Sequence, residues 1–226
     1  MNNTGPRIVE IVGPAGAGKT TLCHTLRHCK RALHLGNFPD VRKISNAPFF
    51  AWNSLQISPA LLSLSQHNSR KLTRREFAWL SILNGWPDIL RKELKNNKII
   101  LLDQGPVFLL AETSQFGPEY LKRQKAESLW RGLYSRWADT LDMVVWLDAE
   151  DADLLKRIRC RDKGHFAKDE SDETAFEFLA CYRKAYEQTI FNLAANHRYL
   201  KILRFDTSQK SSEEIACQLL FEFGPA

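Results

Sequence analysis

The sequence predicts an α/β fold in which a parallel sheet carries helices on both faces. Two observations support this prediction: short apolar segments alternate with amphipathic ones along the chain, and the apolar run Ile8–Val12 leads directly into a glycine-rich loop. Strands that alternate with helices pair in parallel through right-handed crossovers. Because no internal repeat, low-complexity tract or linker divides the 226 residues, we expect a single domain over residues 1–226.

Five segments are apolar enough to be strands that are buried on both faces of a sheet. These are Arg7–Val12, Ala32–Leu35, Lys98–Leu102, Asp142–Leu147 and Leu200–Phe205.

Between these strands, apolar residues recur at helical spacing. A helical segment over Leu22–Cys29 follows the glycine-rich loop, and a capping box that starts at Thr73 opens another helix. We expect the sequence Asn84–Pro87 to interrupt that helix before a further one from Pro87 to Leu94. The remaining helices are predicted over Pro118–Leu141, over Ala175–Leu193 and after a capping box at Ser211.

Residues 36–69 differ in character from the rest of the chain. Three prolines, Pro39, Pro48 and Pro59, stand there among aromatic and polar residues. We therefore predict irregular structure with short helices in this segment.

The loop Gly13–Thr20 reads GPAGAGKT and matches the spacing G-x-x-x-x-G-K-[ST] of a phosphate-binding loop. Its glycines allow backbone N–H groups to turn towards an anion, and the next helix points its positive end at the same place. We expect Lys19 to reach the β- and γ-phosphates, Thr20 to ligate Mg²⁺ and Thr21 to contact the α-phosphate. The predicted nucleotide-binding residues of this loop are Gly13, Pro14, Ala15, Gly16, Ala17, Gly18, Lys19, Thr20 and Thr21.

A carboxylate, Asp103, follows the third predicted strand and precedes Gln104, Gly105 and Pro106. Beside a phosphate-binding loop, such an acid handles Mg²⁺ or the attacking group in phosphoryl transfer. Two roles for Asp103 stay open, namely a Mg²⁺ ligand and a general base for an acceptor hydroxyl. The alternative is an aspartate that only begins a turn.

A cluster of arginines follows the fourth predicted strand. Arg157 and Arg161 are four residues apart and therefore share a helix face, with Arg159 close by. Such a cluster can neutralise the charge on a transferring phosphoryl group. The alternative is a solvated basic helix end that is paired with nearby carboxylates.

Composition excludes several classes of protein. The longest apolar runs are far shorter than the roughly 20 residues of a membrane span, and the polar start lacks the apolar core of a signal peptide, so we expect a cytoplasmic protein. The five cysteines include no C-x-x-C pair, which argues against a disulfide framework and a structural zinc site. The net charge of +6 favours anionic ligands; nucleic acid is an alternative that we do not favour.

Four stretches resemble the P-loop kinases of the nucleoside and nucleotide kinase group, such as thymidylate kinases and deoxynucleoside kinases. In chain order they are GPAGAGKTTL, IILLDQG, MVVWLDAEDADLLKRIRCRDK and ILRFDTSQKSSEEIA. The resemblance implies a P-loop NTPase fold of three layers, with five parallel strands in the order 2-3-1-4-5. It also implies that ATP and Mg²⁺ form the donor pair.

The same resemblance implies roles for residues outside the phosphate-binding loop. Residues 157–170 are expected to form a lid over ATP that carries Arg157, Arg159 and Arg161. The loop after the last strand is expected to border the adenine, with contributions from Asp206, Thr207 and Ser208.

The resemblance leaves roughly residues 35–95 unmatched, so we expect an acceptor-binding insertion at about residues 36–95. Family members commonly place an arginine directly after the strand-end acid, where this chain has Gln104. Aromatic side chains in the insertion would sandwich a ring, and arginines would bind a carboxylate or phosphate, although packing and surface roles fit them as well. The candidate acceptor residues are Asp40, Arg42, Trp52, Arg74, Trp79 and Gln104, followed by Arg70, Arg75 and Trp86.

We therefore expect an ATP-dependent kinase that acts on a nucleoside, a nucleotide or another small hydroxyl or phosphate acceptor, and that is compatible with a homodimer. The expected catalytic residues are Lys19, Asp103, Arg157 and Arg161. The alternatives are an NTP-hydrolysing switch and a nucleic-acid-associated ATPase or end kinase. A guanine-binding Asn-Lys-x-Asp motif is absent from the sequence, which argues against a GTPase switch.

Overall fold

The computed structural model describes residues 7–29, 33–64, 70–95, 99–162, 164–196 and 200–224. Five strands form one parallel sheet in the order β2-β3-β1-β4-β5, which confirms the predicted topology. The strands agree with the predicted segments to within one residue, apart from Ala32 and Lys98, which lie outside the described residues. Their bounds are Ile8–Val12 (β1), Leu33–Leu35 (β2), Ile99–Leu102 (β3), Met143–Asp148 (β4) and Lys201–Asp206 (β5).

Eight α-helices connect and cover these strands in the described part of the chain. They are Lys19–Cys29 (α1), Ala47–Leu64 (α2), Arg74–Glu93 (α3), Pro106–Gln115 (α4), Glu127–Ala138 (α5), Asp151–Cys160 (α6), Asp172–Asn196 (α7) and Ser212–Glu222 (α8). The predicted capping boxes at Thr73 and Ser211 are both present and begin α3 and α8.

The alternation of side chains along the strands divides the core between the two faces of the sheet. In β1, Ile8 and Val12 face a large cluster with α2, α3, α4, α5 and α7. Val9 and Ile11 point to the opposite face, where α1, α6 and α8 pack. Both faces of the central strands are therefore covered, whereas the edge strand β5 exposes several side chains along its length.

Residues 36–64, the described part of the segment 36–69, are more regular than the sequence predicts. The helix α2 occupies 18 residues of this segment and continues through Pro59. The prediction of short helices was wrong because the apolar positions Ile57, Leu61 and Leu64 are buried against α3, and this packing outweighs the local preference of proline.

The helix α3 is also continuous, so the predicted interruption at Asn84–Pro87 was wrong. Gly85 is needed for close packing, because a Cβ atom there would lie 2.3 Å from the side-chain nitrogen of Asn53 in α2. Pro87 has no N–H to donate to Leu83 O one turn earlier. The indole Nε1 of Trp137 donates to that oxygen instead, at 2.9 Å. Both residues therefore serve helix packing and not a turn.

The predicted helix over Pro118–Leu141 begins only at Glu127. Two 3₁₀ turns, Glu119–Leu121 and Gln124–Ala126, precede it. The Trp130 indole N–H donates to Leu121 O at 2.7 Å, which stabilises this irregular approach. The aromatic side chains of this helix, Trp130, Tyr134 and Trp137, pack in the core.

Within the described residues, no helix combines the length and the apolar character that crossing a membrane requires.

We expect Trp137→Phe to destabilise the fold by about 2 kcal/mol or more, because it leaves the buried Leu83 carbonyl unpaired and opens a cavity. In a Pro87→Ala background the new backbone N–H can donate to Leu83 O. The same substitution should then cost about 1 kcal/mol less. Urea unfolding of the two single variants and the double variant measures this difference. If Trp137→Phe lowers the free energy of unfolding equally in both backgrounds, the indole does not replace the missing N–H of Pro87 at Leu83 O.

Candidate active site

A cleft of about 1070 Å³ opens at the carboxyl ends of the strands. The phosphate-binding loop, the turn after β3, parts of α4 and α7, and the segment after α6 all line it. Because the strands are parallel, the segments that follow β1, β3 and β4 all emerge at this edge of the sheet. The topology therefore brings together the loop, the strand-end acid and the arginine segment that the sequence predicts as a site.

The phosphate-binding loop adopts a path that requires glycine. Gly13, Gly16 and Gly18 have φ values of 153°, 84° and 85°. A Cβ atom at Gly13 would lie 2.0 Å from Leu147 O, and one at Gly16 would lie 2.7 Å from Leu154 O. The loop therefore packs directly on the end of β4 and on the helix α6, whereas Gly18 meets no atom within 4 Å.

Lys19 lies beneath this loop. Its Nζ donates to Gly13 O at 2.7 Å and to Pro14 O at 2.8 Å. Burial lowers the pKa of Lys19 to about 8, and the neighbouring Asp103 carboxylate partly offsets that effect. The ammonium group is therefore held in the cleft by neutral carbonyl oxygens, and a polyphosphate would be a stronger partner for it.

Thr20 and Asp103 are in direct contact. The Thr20 hydroxyl donates to Asp103 Oδ2 at 2.9 Å. A hydroxyl and a carboxylate are oxygen ligands of the kind that Mg²⁺ prefers, with its remaining positions filled by water and phosphate. Among the described residues no group of three or more His, Cys, Asp or Glu side chains could hold a metal ion. The pair on its own supplies two oxygen ligands of this kind.

The three arginines of the predicted lid have different surroundings. Arg157 lines the cleft and donates to Thr207 Oγ1 at 2.8 Å and to Thr207 O at 2.9 Å. Arg161 also lines the cleft, and its Nε is buried without a hydrogen-bond partner among the described residues. Arg159 points elsewhere and pairs with Asp172 at 2.8 Å. The structure thus brings two of the three guanidinium groups to the cleft.

The loop after β5 contributes Thr207, Lys210 and Ser211 to the cleft wall, and of these only Thr207 was predicted. The carboxylate of Asp206 instead accepts hydrogen bonds from the Ser208 backbone N–H at 2.8 Å and from the Ser208 hydroxyl at 2.5 Å. Asp206 and Ser208 therefore shape the turn that presents Thr207, and neither lines the cleft.

The candidate acceptor residues are scattered. Only Gln104 and Arg75 of this set line the cleft. Asp40 and Arg42 form one exposed turn, in which the Asp40 carboxylate accepts from the Arg42 N–H at 2.9 Å. Trp52 is 63% exposed on α2.

The other candidates from α3 and its approach support the fold around the cleft. Arg74 is exposed, and Trp79 packs edge-on against Phe108. Trp86 is fully buried in the core against Trp137. Arg70 makes a bidentate ion pair with Glu76.

The structure adds cleft residues that sequence reasoning did not identify. They form an aromatic and polar wall of the cleft. Tyr182 in α7 donates its hydroxyl to Glu112 Oε1 in α4 at 2.6 Å, and burial raises the pKa of this tyrosine. The members of this wall are Phe38, Phe108, Glu112, Phe178 and Tyr182. Four of them have the spacing of ordinary helical residues in α4 and α7, and Phe38 is one of several aromatic residues in the predicted insertion, so the sequence does not single them out.

Glu10 is a second residue that the sequence reasoning missed, although an acid within the run Ile8–Val12 is a visible signal. Its side chain is fully buried and borders the cleft. Oε1 accepts from Gly105 N at 2.9 Å and from Phe108 N at 3.2 Å, and Oε2 accepts from Val107 N at 2.8 Å. Burial raises the pKa of Glu10 to about 7, and the three N–H groups act in the opposite direction.

The helix α7 is attached to the start of α6 by an ion-pair cluster. Arg183 donates to Asp148 Oδ2 at 2.8 Å and pairs with Asp151 at 2.5 Å. These contacts fix the base of the arginine-bearing segment against the sheet.

Two alanine substitutions in the phosphate-binding loop should have unequal effects on stability. Gly18→Ala meets only the backbone penalty of positive φ, about 1 kcal/mol. Gly16→Ala adds a clash with Leu154 O and should cost about 3 kcal/mol. Denaturant unfolding without nucleotide measures both costs. Gly164→Ala is a control with no neighbour within 4 Å, and equal costs at Gly16 and Gly18 would argue against the packing on α6.

No protein-family model and no curated protein matches this sequence. Several solved structures match it over most of their length. The thymidylate kinase of Candida albicans is 17% identical with a TM-score of 0.52, and the match covers 96% of this chain and 90% of that one. For the YorR protein of Bacillus subtilis, solved with phosphorylated GDP, the identity is 17%, the TM-score 0.51 and the coverage 95% and 94%.

A deoxyadenosine kinase of M. mycoides, solved with the products dCMP and dCDP, is 15% identical with a TM-score of 0.51, and the match covers 95% of this chain and 98% of that one. At these identities the likeness shows the fold. The chain therefore has the fold of the P-loop nucleoside and nucleotide kinases, as its motifs indicated.

Proposed function

We propose that the protein is an ATP-dependent kinase that transfers the γ-phosphoryl group to a small-molecule acceptor. One observation carries the proposal: Lys19, the contacting pair Thr20 and Asp103, and Arg161 line the same cleft as a set of aromatic and polar side chains. A donor site and a second, differently built site in one cleft suit a transferase better than a nucleotide-hydrolysing switch.

The donor nucleotide would bind along the phosphate-binding loop. Backbone N–H groups of the loop and the N-terminus of α1 face its phosphates. Lys19 would exchange its two carbonyl partners for oxygens of the β- and γ-phosphates. Thr207 and Arg157 would lie at the base end of the nucleotide, which agrees with the position of the loop after β5.

Thr20 and Asp103 are the residues that would hold Mg²⁺. When bound, the ion would neutralise charge on the β- and γ-phosphates. The contact between the two side chains supports a ligand role for Asp103, because a general base would instead face the acceptor.

Arg161 is the group best placed to act on the transferred phosphoryl group. In the part of the chain that the structure describes, its buried Nε has no hydrogen-bond partner, and an anionic oxygen would satisfy it. Phosphoryl transfer spreads negative charge over the equatorial oxygens, and a guanidinium in a water-poor site stabilises that charge. Closure of this segment would also exclude water, which otherwise competes with the acceptor.

The acceptor would occupy the end of the cleft that is lined by Phe38, Phe108 and Phe178. A flat ring fits between such side chains, and Gln104, Glu112 and Arg75 supply polar groups beside it. Because the neighbours of known structure bind nucleosides and nucleotides, deoxyadenosine, deoxycytidine, thymidylate and GDP are the first acceptors to test, followed by sugars and amino-alcohols.

Lys19→Ala should lower acceptor-dependent ADP release by about 100-fold or more, because it removes the charge that faces the developing phosphate. The measurement is ADP release from ATP and Mg²⁺ across this acceptor panel. Lys184→Ala, which changes an exposed lysine of α7, is the matched control and should retain wild-type rates. Turnover that is independent of every acceptor and stimulated by nucleic acid or protein would overturn the kinase proposal.

Arg161→Ala and Arg159→Ala separate the arginines of the predicted lid. We expect the first substitution to reduce kcat by about 100-fold and the second by less than about threefold, since Arg159 is bound to Asp172 outside the cleft. Steady-state kinetics with saturating ATP measures both rates. Equal losses would show that the described arrangement of the two side chains is not the one that reacts.

A further inference from the structure

The N-terminus of α4 is capped by a side chain from another strand. Gly105 is its N-cap residue and has no side chain to offer. Val107 and Phe108 are the second and third residues of the helix, whose N–H groups an N-cap side chain usually accepts. Glu10 accepts both of them, although it stands 97 and 98 residues away along the chain.

Glu10 also leaves no space for a side chain on the N-cap residue Gly105. A Cβ atom on Gly105 would lie 2.7 Å from Glu10 Cδ and 2.9 Å from its Oε2. The carboxylate therefore fills the space that the side chain of an ordinary N-cap residue would occupy. Glycine at this position and the acid in β1 depend on each other.

The turn after β3 is held at both ends by this one residue. The backbone of Glu10 is paired in register with Leu102, the last residue of β3. Its side chain accepts the N–H of Gly105. Only Asp103 and Gln104 lie between these two attachment points, and Asp103 is the residue that contacts Thr20.

We propose that Glu10 is a positioning residue for phosphoryl transfer, which sets the place of Asp103 by fixing both ends of the turn that carries it. The inference rests on the proposed function and deepens it. The Glu10 carboxylate accepts hydrogen bonds from Gly105, Val107 and Phe108, so it acts through the backbone of the turn and of the first turn of α4.

The carboxylate is better suited to this task than a neutral side chain of the same shape. Three N–H groups point at it, and a carboxylate offers only acceptor sites. A glutamine would turn its NH₂ group towards at least one of these donors. The positive end of α4 further favours an anion at this point.

The first test is Glu10→Gln, measured in the full chain with the acceptor that releases ADP fastest in the panel. We expect kcat to fall about tenfold or more, because a misplaced reacting group is costly, while calorimetry with a non-hydrolysable ATP analogue and Mg²⁺ finds an affinity within about twofold of wild type. A thermal-unfolding curve confirms that the variant is folded. An unchanged kcat, or equal losses of kcat and nucleotide affinity, would overturn the proposal.

The second test removes the Glu10 carboxylate and supplies an N-cap carboxylate from residue 105 instead. Glu10→Ala opens the space beside Gly105, and adding Gly105→Asp places a carboxylate where it can accept the N–H groups of Val107 and Phe108. We expect kcat of the double variant to exceed that of Glu10→Ala by about fivefold or more. Gly105→Asp in the wild-type background should lower kcat, because its side chain meets Glu10. A folded double variant without any recovery would contradict the proposal.

Amide hydrogen exchange separates failure of this inference from failure of the proposed function. Glu10→Gln should speed exchange at Gly105, Val107 and Phe108 by about tenfold relative to α1, whether or not an acceptor is phosphorylated. If wild-type protein phosphorylates none of the acceptors, the proposed function fails. If Glu10→Gln also leaves exchange at these three amides unchanged, the positioning role of Glu10 is overturned as well.

Discussion

The parallel pairing of β1 with β3 on one side and with β4 on the other is the constraint on which the rest of the structure depends. The pairs Glu10 with Leu102 and Val12 with Trp146 bring the last residues of the three strands to one edge. The phosphate-binding loop, the acid-bearing turn and the arginine-bearing helix each begin within a few residues of that edge. Hydrogen bonds between backbones thus determine which side chains meet, before any of them forms a contact of its own.

Much of this arrangement could be predicted from the sequence, because local signals mark the loop, the strand-end acid and the strands. The spacing of Gly13 to Thr20, the acid after a buried strand and the strand pattern each describe a short stretch of chain, and the structure brings these stretches together. The aromatic and polar wall of the cleft could not be predicted in the same way. Tyr182 and Glu112 meet only because α7 lies against α4, and each has the spacing of an ordinary helical residue.

The errors in the predicted helices have the same physical origin. Local preference reads Gly85 and Pro87 as a turn, yet the partners that satisfy them, Asn53 and Trp137, come from other helices. Burial of an apolar face and capture of a freed carbonyl outweigh the cost of a proline within a helix. Such partners are invisible in a window of ten residues, since they are 32 and 50 positions away along the chain.

Two adjacent residues of α7 connect this helix to different parts of the cleft. Tyr182 donates a hydrogen bond to Glu112 in the aromatic and polar wall, while Arg183 pairs with Asp148 and Asp151 at the start of α6, the helix that leads to Arg161. Because a helix is stiff along its axis, a tilt or a shift of α7 moves both parts of the cleft together. Movement of one part alone therefore requires either the Tyr182 contact or the Arg183 contact to break.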